Sequence, residues 1–145
     1  MIDIIIGARP NFMKVAPLIR EFKKRNFSDY RLIHTGQHFD RNMSKVFFKD
    51  LNLPKPDINF SISKINNSDQ TGEIMTAYEK VLKKKLPSLV IVVGDVNSTM
   101  AASIISKKFN LKLAHIEAGL RSNDLSMPEE INRIITDSIS DFFFT

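Results

Sequence analysis

The fold is decided by three segments of the sequence: SLVIVVGD at residues 88–95, LKLAHIEAGLRS at residues 111–122 and MPEEINR at residues 127–133. The run from Leu89 to Val93 is continuously aliphatic, which is typical of a strand buried on both faces of a parallel sheet. Asp95 follows where this strand gives way to a loop. Residues 112–117 predict a second strand, with His115 and Glu117 two positions apart and therefore on one face.

Short apolar strands alternate with amphipathic helices along the chain. This pattern predicts an α/β fold, a doubly wound parallel sheet that is Rossmann-like and has helices on both faces. The predicted strands are Ile2–Ile6, Arg31–Thr35, Asp57–Ile62, Leu89–Val93, Lys112–Glu117 and Phe142–Phe144. Five helices are predicted. The first begins at either Pro10 or Ala16, the next two are Arg41–Leu51 and Asp69–Leu86, and the fourth is capped by Asn97 or Ser98. The fifth is Pro128–Ser140, and its predicted inward stripe consists of Ile131, Ile134, Ile135 and Ile139. By length, residues 1–145 form a single domain.

Composition excludes several classes of protein. The chain has no cysteine, so disulfides and thiolate chemistry are ruled out. It has no run of about 18 uncharged apolar residues, which argues against a signal peptide or a membrane span and predicts a cytoplasmic location. The net charge of +5 comes largely from lysines on predicted helices without interleaved aromatic residues, so we expect a solvated surface and no nucleic-acid partner.

Familiar cofactor motifs are missing. The chain carries neither GxGxxG nor GxxxxGK[ST], so a Rossmann dinucleotide site or a Walker-type site is unsupported. His34 and His38 flank a strand end, and no acidic or cysteine partner has metal-ligand spacing, so we expect no metal. Arg9 follows the first strand, where it is either a phosphate ligand beside a helix start or an ordinary surface arginine.

Three carboxylates could each have a structural role in place of a catalytic one. Asp95 could support a turn, Glu117 could pair with Arg121, and Glu129 could form a capping box with Ser126. However, Asp95 and Glu117 lie at consecutive strand ends, and Glu129 lies in the first turn of a helix. Because ligands of open α/β sheets bind at the carboxyl ends of the strands, we expect these acids to line one cleft. Acids so placed can transfer protons on both sides of a carbon or stabilise a cationic sugar.

Five ordered blocks resemble the non-hydrolysing UDP-N-acetylglucosamine 2-epimerases: GARPNFMKVAPL at 7–18, TGQH at 35–38, GDVNST at 94–99, HIEAGLRS at 115–122 and PEEINR at 128–133. The blocks spread over nearly the whole chain, so the resemblance is highly specific. It implies the N-terminal domain of a two-domain enzyme of the glycosyltransferase-B type, with the substrate in the cleft between the domains. The family's C-terminal domain, which carries much of the uridine and diphosphate binding, has no counterpart in residues 1–145, so we expect this piece to be inactive alone.

The resemblance implies a reaction that uses no nicotinamide, metal or other cofactor. Such enzymes interconvert UDP-N-acetylglucosamine and UDP-N-acetylmannosamine by anti elimination of UDP to a 2-acetamidoglucal, followed by re-addition of UDP. The family's catalytic acids align with Asp95, Glu117 and Glu129, and which acid serves which face of the sugar stays open. Substrate-binding positions align with four further residues: Arg9, Lys14, His115 and Arg133.

The resemblance also implies partners. In bacterial members a second UDP-N-acetylglucosamine can bind beside the substrate as an activator, and Gln37, His38 and Gln70 fall at or near the positions implicated there. For the full-length enzyme we expect a homodimer that supplies UDP-N-acetylmannosamine for surface polysaccharide.

Two departures from the family pattern leave the exact sugar open. Many members read PEAIK after the first arginine and have an aromatic residue in a slightly longer loop before PEE, whereas this chain has PNFMK at residues 10–14 and SMP at residues 126–128. The same variant occurs in relatives that act on modified UDP-sugars such as 2,3-diacetamido uronic acids. Further alternatives are a non-catalytic nucleotide-sugar binding module, the acceptor-side domain of a glycosyltransferase, and a hydrolysing relative.

Overall fold

The computed structural model describes residues 1–36, 46 and 48–145, and within this part the chain forms one sheet of six parallel strands. The strands are β1 (Ile2–Ile6), β2 (Tyr30–His34), β3 (Ile58–Asn59), β4 (Leu89–Val93), β5 (Lys112–Ile116) and β6 (Phe142–Phe144). Their order in the sheet is β3-β2-β1-β4-β5-β6. This is the doubly wound order of a Rossmann-like domain, so the predicted fold class is confirmed.

Four helices are described in full: α1 (Arg9–Lys24), α2 (Asn67–Lys84), α3 (Asn97–Lys108) and α4 (Pro128–Ile139). The first begins at Arg9, with Pro10 in its first turn and Pro17 inside it, so the start at Ala16 is wrong. The predicted helix Arg41–Leu51 lies largely outside the described residues. Neither Asn97 nor Ser98 caps α3, because its N-cap residue is Val96.

The central strands β1 and β4 are buried on both faces, which explains why all their residues but Asp3 are aliphatic. Ile4 and Ile6 of β1 pack with α1 in one apolar cluster, whereas Ile5 packs with Tyr78 of α2 and Val90 in a second cluster on the opposite face. Alternate side chains of one strand therefore belong to two different cores, as the two-residue period of a strand requires.

The buried face of α4 differs from the prediction. Ile131 and Ile134 are 45% and 37% exposed, while the residues that this helix buries are Glu130, Asn132 and Thr136. Two of the four isoleucines of the predicted stripe therefore lie outside the buried face, whereas Ile139 packs against the second apolar cluster. The inward side of its first turns is polar, because Glu130 bonds to the loop after β5 and Asn132 bonds to the Asp95 turn and to Asn97 of α3.

The order of the sheet places a switch point between β1 and β4. Chain connections leave these two neighbouring strands in opposite directions, and the crevice outside their carboxyl ends is where doubly wound folds bind ligands. Gly7 follows β1 and Gly94 follows β4 at this crevice. In the part of the chain that the structure describes, no helix combines the length and the apolar character needed to cross a membrane.

Candidate active site

Asn11 joins the two strand ends at the switch point. Its side-chain oxygen accepts hydrogen bonds from the backbone N–H groups of Gly7 and Ala8, at 3.0 and 3.1 Å. Its side-chain nitrogen donates to the carbonyl of Val93, at the end of β4. Asn11 lies in the first of the five sequence blocks, but no role was predicted for it. Its position at the third residue of α1, three residues after the N-cap residue Ala8, was the available signal.

Lys14 of α1 and Glu117 form an ion pair at this edge of the sheet. Glu117 lies one residue beyond β5 and has a left-handed backbone, with φ at 69°, so it does not continue the strand as predicted. Burial lowers the pKa of Lys14, the charge of Asp95 opposes this shift, and the charge of Arg133 adds to it. Lys14, Glu117, Asp95 and Arg133 therefore belong to one charged cluster.

Asp95 is held by Arg133 of α4, whose guanidinium donates to the Asp95 carboxylate. The same guanidinium donates to Glu130 at 2.7 Å. Glu130 in turn accepts hydrogen bonds from the backbone N–H groups of Ser122 and Asn123, at 3.0 and 3.2 Å. Arg133 thus ties the loop after β4 to the loop after β5, and Glu130, which was not among the predicted site residues, is the link between them.

Glu129 is exposed on the wall of a cavity of about 390 Å³ beside this cluster. Residues from several loops and helices line the cavity, including Gly36, Ile62, Gln70, Asn97, Glu129 and Asn132. The capping box proposed for Glu129 is wrong, because Met127 occupies the N-cap position of α4. Ser126 instead donates its hydroxyl to Asp124, at 2.6 Å.

His115 is fully buried under the cluster. Its Nε2 atom lies 2.7 Å from the carbonyl oxygen of Gly94, and its Nδ1 atom lies 2.6 Å from Asp137 Oδ1. Arg121 also donates to Asp137, so the alternative pairing of Arg121 with Glu117 is wrong. Burial alone would raise the pKa of Asp137, but the hydrogen bonds from Arg121 and His115 outweigh it and lower that pKa. His115 holds the Gly94 turn in place, and its burial does not support the predicted contact with a substrate.

The remaining predicted site residues lie in different places. Arg9 is exposed in the first turn of α1, at the same edge of the sheet. Gln70 is buried, donates to the Lys64 carbonyl and accepts from Asn97. Gln37 and His38 lie outside the described residues.

The arrangement presents acids and cations along one edge of the sheet. Asp95 and Glu117 each contact a basic side chain, and Glu129 opens onto the adjoining cavity. Among residues 1–36, 46 and 48–145, no group of three or more histidine and acidic side chains is arranged to hold a metal ion. The chemistry that these residues can supply is proton transfer and the binding of an anionic group.

Comparison with known proteins decides the family. The family model described as UDP-N-acetylglucosamine 2-epimerase matches residues 20–145. This chain belongs to the UDP-N-acetylglucosamine 2-epimerase family. The resemblance inferred from the five sequence blocks is therefore confirmed.

Members of this epimerase family are similar to the chain in sequence and in structure. UDP-N-acetylglucosamine 2-epimerase of Methanocaldococcus jannaschii is 46% identical over 143 residues, which are 99% of this chain and 39% of that protein. UDP-2,3-diacetamido-2,3-dideoxy-D-glucuronate 2-epimerase of Pseudomonas aeruginosa is 45% identical over 97% of this chain and 40% of its own length. The crystal structure of the M. jannaschii enzyme in complex with UDP-GlcNAc and UDP superposes with a TM-score of 0.95 at 46% identity, over 99% of this chain and 40% of that one. The chain thus spans about two fifths of the length of these relatives.

Proposed function

We propose that this chain provides the acidic wall of the active site in a UDP-sugar 2-epimerase that interconverts UDP-N-acetylglucosamine and UDP-N-acetylmannosamine. The observation that carries the proposal is the pairing of Asp95 with Arg133 and of Glu117 with Lys14 at the switch point of the sheet. Family membership and the bound UDP-GlcNAc and UDP in the M. jannaschii relative support the same substrate class.

The chemistry of the sugar explains why such a cluster suits this reaction. The proton on carbon 2 has no adjacent carbonyl group to acidify it. Departure of UDP first builds positive charge at carbon 1, which weakens the C–H bond at carbon 2 and favours nearby carboxylates. In this proposal Asp95, Glu117 and Glu129 supply those carboxylates. UDP then adds back to the 2-acetamidoglucal, and the proton returns to the opposite face.

The basic residues of the cluster have a separate role in the proposal. A departing diphosphate carries negative charge, and Arg9, Lys14 and Arg133 are the cations that α1 and α4 place at the same edge. Arg9 lies at the N-terminus of α1, where the helix dipole also favours an anion. The cations offset the charge of the acids before UDP leaves and the charge of UDP afterwards.

A second candidate substrate has a specific observation in its favour. The P. aeruginosa relative, which is named as an epimerase of a 2,3-diacetamido glucuronate, is 45% identical, close to the 46% of the M. jannaschii enzyme. We therefore include UDP-2,3-diacetamido uronic acids as an alternative substrate class. Kinetics with both UDP-sugars separate the two. The second UDP-sugar as activator and the homodimer stay predictions of the family resemblance, and the cytoplasmic location stays a prediction from composition.

The test uses the full-length enzyme, in which this chain is followed by the further part that the relatives carry. Asp95→Asn, Glu117→Gln and Glu129→Gln should each reduce kcat by about 10²- to 10⁴-fold, the usual contribution of an acid or base, with the fold retained. Glu79→Gln is the matched control, because Glu79 is a surface residue of α2 that pairs with Lys83. Wild-type kcat in all three acid variants would show that the proposed site is not the catalytic one.

A further inference from the structure

A line of side-chain amides runs along the cavity wall, from the Asp95 turn to the loop before α2. Asn132 of α4 donates to the backbone carbonyl of Asp95 at 2.9 Å and to Asn97 Oδ1 at 3.1 Å. Asn97 donates in turn to Gln70 Oε1 at 2.7 Å, and Gln70 donates to the carbonyl of Lys64 at 3.0 Å. We call Asn132, Asn97 and Gln70 the amide relay.

The direction of every hydrogen bond in the amide relay is fixed by its two ends. Backbone carbonyls accept hydrogen bonds and cannot donate them, so the amide nitrogen of Asn132 must face Asp95 and that of Gln70 must face Lys64. Asn97 then has one orientation that satisfies both neighbours: its oxygen faces Asn132 and its nitrogen faces Gln70. All three relay residues are buried, with 3 to 7% of their surface exposed, so a reversed amide would place two acceptors face to face with little access to solvent.

The amide relay acts on the loop that carries Asp95. Asn132 holds the Asp95 backbone, and the next residue, Arg133, holds the Asp95 carboxylate. Two successive residues of α4 therefore fix Asp95 at two points. The position of the carboxylate relative to a sugar depends on both.

We propose that Asn132 and Asn97 are positioning residues of the epimerase reaction, which set the Asp95 turn through donated hydrogen bonds of fixed direction. The inference rests on the proposed function, because it assigns these amides a role through Asp95. A catalytic group displaced by about 1 Å can lose about 10²-fold in rate, so a relay with a reversed donor should lower kcat.

Three isosteric substitutions test the proposal in the full-length enzyme. Asn132→Asp and Asn97→Asp each replace a donating nitrogen by an accepting oxygen, and we expect kcat to fall about 10- to 100-fold with KM within about threefold of wild type. Asn67→Asp is the matched control. Asn67 Oδ1 accepts a hydrogen bond from Asn97, and a carboxylate preserves that acceptor with the same added charge and volume. We expect the control to keep kcat within about twofold, since no relay donor changes.

A double-mutant cycle shows whether Asn132 acts through Asp95. In an Asp95→Asn background, Asn132→Asp should have little further effect on kcat, because residues in one network are not additive. Full activity of Asp95→Asn would overturn the relay's role, because the relay acts through Asp95, whereas the proposed function fails when all three acid variants keep wild-type kcat. The relay alone would be overturned if Asp95→Asn loses activity and Asn132→Asp, added to it, lowers kcat by as much as it does in the wild type. Equal kcat in Asn132→Asp, Asn97→Asp and the control Asn67→Asp would also overturn it.

A variant that does not fold still leaves a decisive measurement. Thermal unfolding of each purified variant checks for this outcome. Where Asn132→Asp is unfolded, Asn132→Ala replaces it, because alanine removes the donor without placing a carboxylate against the Asp95 carbonyl. A reduced kcat in Asn132→Ala supports the proposal, and wild-type kcat overturns it.

Discussion

Gly94 provides a substitution whose effects on stability and on chemistry can be separated. Its φ of 73° lies in the left-handed region, where a side chain destabilises the fold by about 1–2 kcal/mol. Alanine also lowers the entropy of the unfolded chain, which stabilises the fold by about 0.4–1 kcal/mol. An added Cβ atom would lie 3.4 Å from Asn11 Nδ2 and 3.5 Å from Glu117 Oε2, so no severe collision adds to this strain. We therefore expect Gly94→Ala to lower the free energy of unfolding by about 1 kcal/mol, or Tm by about 3–4 °C.

The effect of Gly94→Ala on activity should exceed its effect on stability. The new methyl group occupies the space between Lys14, Glu117 and Asn11, at the centre of the charged cluster. We expect kcat of the full-length enzyme to fall at least about tenfold, since small displacements of catalytic groups have effects of this size.

Gly119→Ala is the control for Gly94→Ala. Gly119 has a similar φ of 81°, and among the atoms of the described residues its Cβ would come within 4 Å of Thr145 Cγ2 alone, at 3.7 Å. Urea unfolding of the 145-residue chain should give similar losses for both variants, whereas initial rates should fall much more for Gly94→Ala. Equal activity losses in the two variants, or unchanged stability in both, would refute the reasoning.

The remaining predictions concern the framework that holds the site. Burial lowers the pKa of His34 from 6.5 to about 4 in the folded chain. As pH falls from 6.5 to 4, the His34 imidazole is therefore protonated in the unfolded chain before it is protonated in the folded one, and the free energy of unfolding should fall by about 3 kcal/mol. Urea unfolding across that range should show the loss, and His34→Asn should lack this part of it. Tyr78 donates to the buried carboxylate of Asp3 at 2.9 Å, so Tyr78→Phe should cost about 2 kcal/mol in the same assay; a change below about 0.5 kcal/mol would contradict this role. Gly7→Ala would place a Cβ 2.7 Å from Ser98 Cβ and should lower the free energy of unfolding by about 3 kcal/mol, with partial recovery when Ser98→Gly is added. A single variant as stable as the wild type would contradict the close packing.

The positions of the strands were predictable from the sequence, most clearly for β4, because a short, unbroken aliphatic run between turn residues is typical of a buried parallel strand. The ends of β2, β3 and β5 differ from the predicted ends by one to three residues. Ile2–Ile6, Leu89–Val93 and Phe142–Phe144 have the predicted bounds. The strand ends in turn locate Asp95 at the crevice. This part of the site therefore follows from local pattern together with the general rule for open α/β sheets.

The partners of the charged residues were not predictable from local spacing. Lys14 is 103 residues from its partner Glu117, whereas the sequence suggested Arg121, four residues away. The polar inward face of α4 was missed for a related reason. Helical periodicity assumes an apolar surface opposite the helix, but α4 meets the Asp95 turn and the loop at Ser122. Ile131 and Ile134 therefore point outward, and Asn132 points inward.

The central claim is that side chains of this chain move the proton on carbon 2 of a UDP-sugar. The most direct measurement is the incorporation of deuterium by the full-length enzyme in heavy water, read by NMR or mass spectrometry of both sugars. We predict deuterium at carbon 2 of the epimerised product. In Asp95→Asn, Glu117→Gln and Glu129→Gln, the rate of deuterium incorporation should fall by the same factor as kcat. Turnover of the UDP-sugar that leaves carbon 2 free of deuterium would contradict the claim.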